Sequence, residues 1–259
     1  MEISTFELLV KRIAPPPAPL DVARRVVQGY FLTVTNLEFR PLTFRIRFNI
    51  SRPNPLGDPD RTLFGNVGLF YDIAGANDPI SLSGNATSIT FGGTFVLPAR
   101  QTASLQLLPN ASLFAAANPD FEVRGFVTLR LPRIGGQPQS ITPVKVLINP
   151  EIRGTFLPNG FPGGVAEDFD QINYPLTVAT GKALNEIASD RRLVIPVITP
   201  DVLQSLPADD VESLLDADEL EKSQSLIQLM SQLDGDPKNL ENLSDALSKL
   251  NIPVRVSSI

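Results

Sequence analysis

Three carboxylates stand close together in one short stretch of the chain: Glu167, Asp168 and Asp170, in "GGVAEDFDQ". A pair of carboxylates can supply the acid and the base of a glycoside hydrolase, and clustered carboxylate oxygens are the ligands that calcium prefers. The stretch therefore supports one alternative for the function, a carboxylate-based hydrolase or a calcium-dependent binding protein. A solvated acidic loop explains the same residues, and we favour it. We assign no metal-binding residue, and these three are the only candidates.

Several other chemistries are excluded by composition. The chain has no histidine and no cysteine, so it cannot build a Ser-His-Asp triad, a histidine metal site or a thiolate nucleophile. The "TGKAL" stretch around Lys182 fails as a phosphate-binding loop, because Leu176 stands where the first glycine is needed and Ala183 where Ser or Thr is needed. We expect no catalytic residue, no cofactor and a non-enzymatic protein.

Arginines on a predicted strand are the second group of interest. In "FRPLTFRIRFNIS", apolar residues alternate with polar ones, so Arg45 and Arg47 share one face, about 7 Å apart. Nucleic-acid binding would need aromatic side chains on that same face, but Phe44 and Phe48 point the other way, and the sequence pI is about 4.8. We expect no nucleic-acid partner. The stripe is either a solvated strand face or a protein contact.

The charge distribution suggests what such a contact could be. Residues 1–52 hold eight Lys/Arg against four Asp/Glu, whereas residues 201–259 hold four Lys/Arg against twelve Asp/Glu. Opposite charge at the two ends favours docking of one on the other or two separate partner surfaces. If the stripe is a protein contact rather than a solvated face, we expect it to meet acids of the C-terminal region, such as Asp209, Asp210, Glu212 and Asp218.

The elements that position these residues are mainly strands. Short runs rich in β-branched and aromatic residues, bounded by Pro, Gly, Asn or Asp, follow one another over residues 20–157. These runs are "YFLTVTNLEF", "PLTFRIRFNIS", "NVGLFYDI", "SITFGGTFVL", "TASLQLL", "FEVRGFVTLRL" and "VKVLIN". Period-two alternation with one apolar face predicts an antiparallel β-sandwich, either immunoglobulin-like or jelly-roll-like.

The last quarter of the chain is predicted to be helical. Thr199 before Pro200 and Asp236 before Pro237 are helix-start signals. Three amphipathic helices are expected, at roughly residues 202–216, 218–233 and 237–250. The last of them carries a narrow apolar stripe that we predict to contact a partner, formed by Leu240, Leu243, Leu247 and Leu250.

The predicted organisation has four parts. Residues 1–19 form an N-terminal arm and a polyproline spacer, 20–157 the sandwich, 158–198 an irregular connector in which "TGKALNEIAS" is helical, and 199–259 an acidic helical tail. No run reaches the about 18 apolar residues of a membrane-spanning helix, so we expect no membrane insertion and a cytoplasmic protein. The predicted function is a structural or protein-interaction module that self-associates, as a homo-oligomer, or docks a partner.

Overall fold

The computed structural model describes residues 1–14, 17–19, 24–116, 118–158, 161 and 169–190. Within them the chain is mainly antiparallel β structure, which confirms the predicted fold class at that level. The strands are β1 (Glu2–Arg12), β2 (Arg25–Asn36), β3 (Leu42–Ile50), β4 (Val67–Asp72), β5 (Asp78–Ile80), β6 (Thr90–Leu97), β7 (Thr102–Pro109), β8 (Asp120–Arg130), β9 (Val144–Phe156), β10 (Asp170–Pro175) and β11 (Leu184–Ile187). A 3-10 turn at Pro59–Arg61 and a one-turn helix α1 at Ala111–Ala115 lie in the connections.

Strand β3 shows how the alternation in the sequence sets the fold. Its apolar residues Leu42, Phe44, Ile46 and Phe48 are completely buried, and Ile50 is nearly so. The polar residues between them are only half-buried, on the opposite face. Full burial of each large apolar side chain stabilises the fold by about 1.5–3 kcal/mol, so a one-residue slip of this strand would be very costly.

All eleven strands belong to one sheet that divides at β2. The sheet runs in the order β5-β4-β7-β2-β1-β8-β3-β6, and β9 pairs with β2, β10 and β11. The first residues of β2, Arg25 to Gln28, pair with β1, whereas Tyr30 to Thr35 pair with β7. Strand β9 pairs with β2 along its whole length and so occupies the other edge. Because β1 and β7 share one edge of β2, they must diverge.

The divergence produces two layers whose apolar faces pack together. Tyr30 of β2 contacts Phe48 of β3, with ring centroids 6.1 Å apart, although these strands are not hydrogen-bonded neighbours. Phe6 of β1 lies 5.6 Å from Phe48 and 6.0 Å from Tyr30. The hydroxyl of buried Tyr30 shares a hydrogen bond of 3.0 Å with Ser4, which satisfies a polar group that would otherwise be costly to bury.

Two contacts nearly close the sheet at its sides. On one side the Tyr71 hydroxyl of β4 donates to the carbonyl of Val96 on β6 at 2.5 Å, and Ser83 forms a bridge to Gly92 of the same strand. On the other side the amide of Ala179, in the connection between β10 and β11, donates to the carbonyl of Ile3 at 2.7 Å. The edges of β1 and β6 are therefore partly covered.

A buried asparagine joins two turns at one end of the layers. Asn36 is fully buried, and its amide nitrogen contacts the carbonyls of Arg40 at 2.9 Å, Leu97 at 3.1 Å and Pro98 at 3.1 Å. Its side-chain oxygen accepts the amide of Glu38 at 2.9 Å. The β2–β3 turn and the β6–β7 turn are therefore tied to one side chain.

Two expectations were wrong in detail. Residues 1–13, expected to form an arm, contain strand β1, which lies between β2 and β8. The connector contains strands β10 and β11, where β11 takes the place of the helix expected in "TGKALNEIAS". In both cases pairing with a distant strand stabilises a segment whose local signal is weak. The predicted helical tail lies outside the described residues.

Candidate protein-binding face

The outward side of β3 and its neighbours forms a basic surface, which we call the arginine face and define by Arg45, Arg47 and Arg130. Arg45 and Arg47 are half-buried, and their side chains leave the strand on the side opposite the core, as the alternation predicts. Strand β3 is central in its layer, with β8 on one edge and β6 on the other. The two arginines are therefore held on a fixed strand rather than on a loop.

The register of β3 and β8 adds the third arginine. Arg45 lies directly opposite Arg130, and Arg47 lies opposite Thr128. Side chains at directly opposite positions of an antiparallel pair have their Cβ atoms about 4.5–5.5 Å apart. On the β6 side the opposite positions hold Thr94 and Gly92. The register positions directly opposite the β3 arginines thus contain no carboxylate.

Gly92 gives Arg47 room to lie along the sheet. A Cβ atom at position 92 would come within 3.3 Å of the Arg47 Cγ and 3.0 Å of the Ile46 carbonyl oxygen. The arginine stem therefore packs over a bare stretch of β6 backbone. A long side chain can bury its methylene groups in this way while its guanidinium remains at the surface.

The other half of the same layer surface is balanced in charge. Lys11 pairs with Glu122, and Arg124 pairs with both Glu7 and Glu122. The hydrogen bond from Lys11 lowers the pKa of the Glu122 carboxyl below its usual range, and the charges of Lys11 and Arg124 add to that effect against desolvation. Beyond them Arg61 pairs with Asp120 at 2.8 Å. These ion pairs connect β1 with β8 and β8 with the turn at Pro59–Arg61.

Two exposed apolar side chains adjoin this surface. Phe126 of β8 is 46% exposed and lies opposite Asn49 of β3, two positions beyond Arg47. Val96 of β6 is 53% exposed and lies opposite Thr43, two positions before Arg45. Binding surfaces in proteins combine arginine with apolar and aromatic side chains in this manner.

Sequence reasoning missed Arg130 and Phe126. Alternation in "FEVRGFVTLRL" already marks both as outward-facing, since Val127 and Leu129 between them are buried. What the sequence could not reveal is that β8 lies beside β3. The predicted contact residues Leu240, Leu243, Leu247 and Leu250 lie outside the described residues.

The carboxylate candidates are only partly described. Asp170 opens strand β10, and its Oδ2 accepts a hydrogen bond of 2.6 Å from the Arg24 guanidinium. A cation bound at that oxygen would compete with Arg24 for it. Glu167 and Asp168 lie outside the described residues. In the part of the chain that the structure describes, no group of three or more Asp, Glu, His or Cys side chains could hold a metal ion.

The site is thus a basic strand surface with apolar neighbours, on a fold that positions it rigidly. No helix among the described residues is both long and apolar enough to cross a membrane. The arrangement places three guanidinium groups, which are hydrogen-bond donors, on one surface. Comparison of the chain with protein-family models, with curated proteins and with solved structures finds no match.

Proposed function

We propose that this chain is a non-enzymatic structural or protein-interaction module whose arginine face binds an acidic protein segment. The binding would serve self-association or the docking of a partner. The observation that carries the proposal is the register that places Arg45 directly opposite Arg130, with Arg47 two positions further along.

Like charges at directly opposite positions of a strand pair disfavour the pairing. A carboxylate can bridge two such positions by accepting hydrogen bonds from both guanidinium groups, which favour planar, bidentate contacts. Each exposed ion pair contributes only about 0–1 kcal/mol, so the arginines set orientation. Most of the binding free energy must then come from burial of apolar surface, which the exposed side chains of Phe126 and Val96 can contribute.

The occupant that we propose is the acidic C-terminal region, from the same chain or from a second copy. Residues 201–221 contain eight Asp/Glu and no Lys/Arg, and the leucines of the wider region supply apolar partners. The contact would bring the basic N-terminal part of the sequence together with its acidic C-terminal part. A cytoplasmic location stays a prediction.

An immunoglobulin-like or jelly-roll-like sandwich, which the sequence predicts for residues 20–157, is the finer fold that we propose for the layers formed by β1 to β11. Two packed antiparallel layers support it. Sandwiches of this type serve as interaction domains in many proteins. The alternative function is a carboxylate-based hydrolase or calcium-dependent binder. It is less supported because the Asp170 carboxylate already forms an ion pair with Arg24.

A labelled peptide comprising residues 201–221 tests the proposal. Fluorescence anisotropy would measure its affinity for the full chain and for Arg45→Ser/Arg47→Ser/Arg130→Ser. Loss of three pairs at up to about 1 kcal/mol each should weaken binding by roughly tenfold to a hundredfold. Neutralising the chain's own acids, with Asp209→Asn/Asp210→Asn/Glu212→Gln, should tighten binding because it removes the internal competitor.

The matched control is Arg61→Ser/Arg100→Ser/Arg153→Ser, which changes the net charge equally at arginines that lie off the face. Its affinity should stay close to that of the unmodified chain. Raising the salt concentration should weaken binding to the unmodified chain far more than to the arginine-face variant. Equal affinities of the two triple variants would refute the proposal.

A further inference from the structure

Among the described residues, strand β10 is the last strand of the layer that contains β2, and within them one of its edges is open. It pairs with β9 alone, from Asp170 opposite Phe156 to Pro175 opposite Glu151, without a bulge. Five of its six residues are exposed. Among the described residues, no strand lies on its other edge.

The hydrogen-bond pattern identifies which groups point outward from β10. The amide of Leu176 donates to the carbonyl of Pro150 at 2.9 Å, so position 176 is a hydrogen-bonded one. Such positions alternate along an antiparallel pair, which directs the even-numbered residues of β10 toward β9. The amide and carbonyl groups of Gln171 and Asn173 therefore face the open edge.

The central part of the open edge lacks the usual protection against strand addition. Natural proteins guard exposed edges with charged side chains, prolines or bulges. Between Asp170 and Pro175 the strand reads Gln-Ile-Asn-Tyr, with no charge and an unbroken register. The neighbouring edge strand β11 carries an exposed glutamate, Glu186. Asp170 and Pro175 guard only the two ends of β10, which leaves its four central residues open to strand addition.

The side chains of β10 are complementary to those of a second β10 running in the opposite direction. With a two-fold axis at Ile172, Gln171 lies opposite Asn173 of the second copy, and these residues can exchange four backbone hydrogen bonds. The same register places Asp170 opposite Tyr174 and Phe169 opposite Pro175 of the second copy. At the centre of this register two side-chain amides lie opposite each other on each side of the axis, and Ile172 meets Ile172.

The side chains of Asp170 and Tyr174 are held away from the open edge. Asp170 accepts a hydrogen bond of 2.6 Å from Arg24, and the Tyr174 hydroxyl accepts one of 3.2 Å from the Gln28 amide of β2. Both partners lie on the other side of β9 from the open edge. The contact with a second copy therefore depends on the central residues Gln171, Ile172 and Asn173.

From these observations we propose that the chain self-associates through β10, by antiparallel pairing with β10 of a second copy about an axis at Ile172. The layers of the two copies then form one continuous sheet. This surface is separate from the arginine face, and either proposal can fail without the other. An extended segment of another protein is the competing occupant, but only a second copy supplies the matching sequence.

A single introduced cysteine tests the register, because the chain has none of its own. Ile172 would face Ile172 of the second copy at a non-hydrogen-bonded position, with Cα atoms about 4.5 Å apart, which suits a disulfide. Ile172→Cys should therefore form a covalent dimer within minutes under mild oxidation. Asn173→Cys, one residue further along, faces position 171 instead and should cross-link at least tenfold more slowly.

Light scattering on the otherwise unmodified chain gives a second, non-covalent readout. At high concentration the mass should approach twice the 28.1 kDa of one chain. Asn173→Pro removes an outward amide without disturbing the bonds to β9, and it should return the mass to that of one chain. An unchanged circular dichroism spectrum would confirm that this variant is folded.

Three outcomes would overturn the proposal. These are equal cross-linking of the two cysteine variants, no cross-linking of either, and a mass of one chain at every concentration. The first would indicate random collision, and the other two would leave the edge to another occupant or to none. Since peptide binding to the arginine face is measured separately, none of these outcomes would be mistaken for failure of that proposal.

Discussion

Replacement of buried Asn36 is the perturbation whose effect follows most directly from the structure. Its amide nitrogen has two hydrogens for three carbonyls, so it makes about two full hydrogen bonds, and its oxygen accepts a third from Glu38. At a net value of about 1 kcal/mol each, Asn36→Ala should destabilise the fold by about 3 kcal/mol. For a protein of this size the midpoint of thermal unfolding should fall by roughly 6–12 °C.

The relative stability of Asn36→Asp and Asn36→Ala is a sharper test than the loss of stability of either variant alone. Asn36→Asp keeps an acceptor for Glu38 but places a carboxylate against the carbonyls of Arg40, Leu97 and Pro98, so at neutral pH it should be less stable than Asn36→Ala. Protonation of that carboxyl restores a donor, so the difference should narrow as the pH falls. Urea unfolding at pH 7 and pH 4 measures both effects.

Asn85→Asp is the matched control. The side-chain oxygen of exposed Asn85 accepts hydrogen bonds from the amide and hydroxyl of Thr87, at 3.0 Å each, and from the Ser88 hydroxyl at 3.2 Å. A carboxylate can accept all three bonds, so this substitution should change stability by less than about 0.5 kcal/mol. If Asn36→Asp proved as stable as Asn85→Asp at pH 7, the role assigned to the Asn36 amide would be wrong.

Two further predictions concern the layer that carries the arginine face. A Cβ atom at Gly125 would lie 2.0 Å from the Asn49 carbonyl oxygen, so Gly125→Ala should force β3 and β8 apart and destabilise the fold by about 3 kcal/mol or more. Gly68→Ala, whose Cβ would meet only the movable ring of Phe70, should cost clearly less, and equal unfolding midpoints would contradict this. Because Lys11 lowers the pKa of Glu122, the pair stabilises the fold above the usual glutamate pKa of 4.5, and that contribution is lost as the pH falls through the lowered folded-state value. In urea unfolding, Glu122→Gln should therefore be less stable than the unmodified chain at pH 7, and this difference should shrink as the pH falls below 4.5. A difference in stability that does not change with pH would rule out the charge of Glu122 as the cause.

The sequence predicts those parts of the fold whose signal is local. Strict alternation from Leu42 to Ile50 predicts a strand, its buried face and the outward direction of Arg45 and Arg47, and the structure agrees on the strand and its buried face. Strand β1 carries the same alternation at Phe6, Leu8 and Val10. Its pattern is interrupted by the irregularity between Glu2 and Ser4 and by apolar Leu9 on the outer side.

The register between strands that are far apart in the chain leaves no local pattern in the sequence. The pairing of Arg45 with Arg130 joins residues that are far apart in sequence, so the composition of the arginine face could not be predicted. Strands β10 and β11 were missed because their sequences are short and polar. They are strands because β9 offers an edge to pair with.

The central position of β1 has a consequence for how the chain reaches this fold. The Lys11–Glu122 contact alone spans 111 residues of sequence. Contacts of such separation form only after a large loss of chain entropy, which makes folding slow compared with helical proteins of similar length. During synthesis the apolar side of β1 leaves the ribosome long before β8 exists to cover it. A nascent chain is thus exposed to misassociation for the time needed to add more than a hundred residues, and a chaperone would have its greatest effect in that interval.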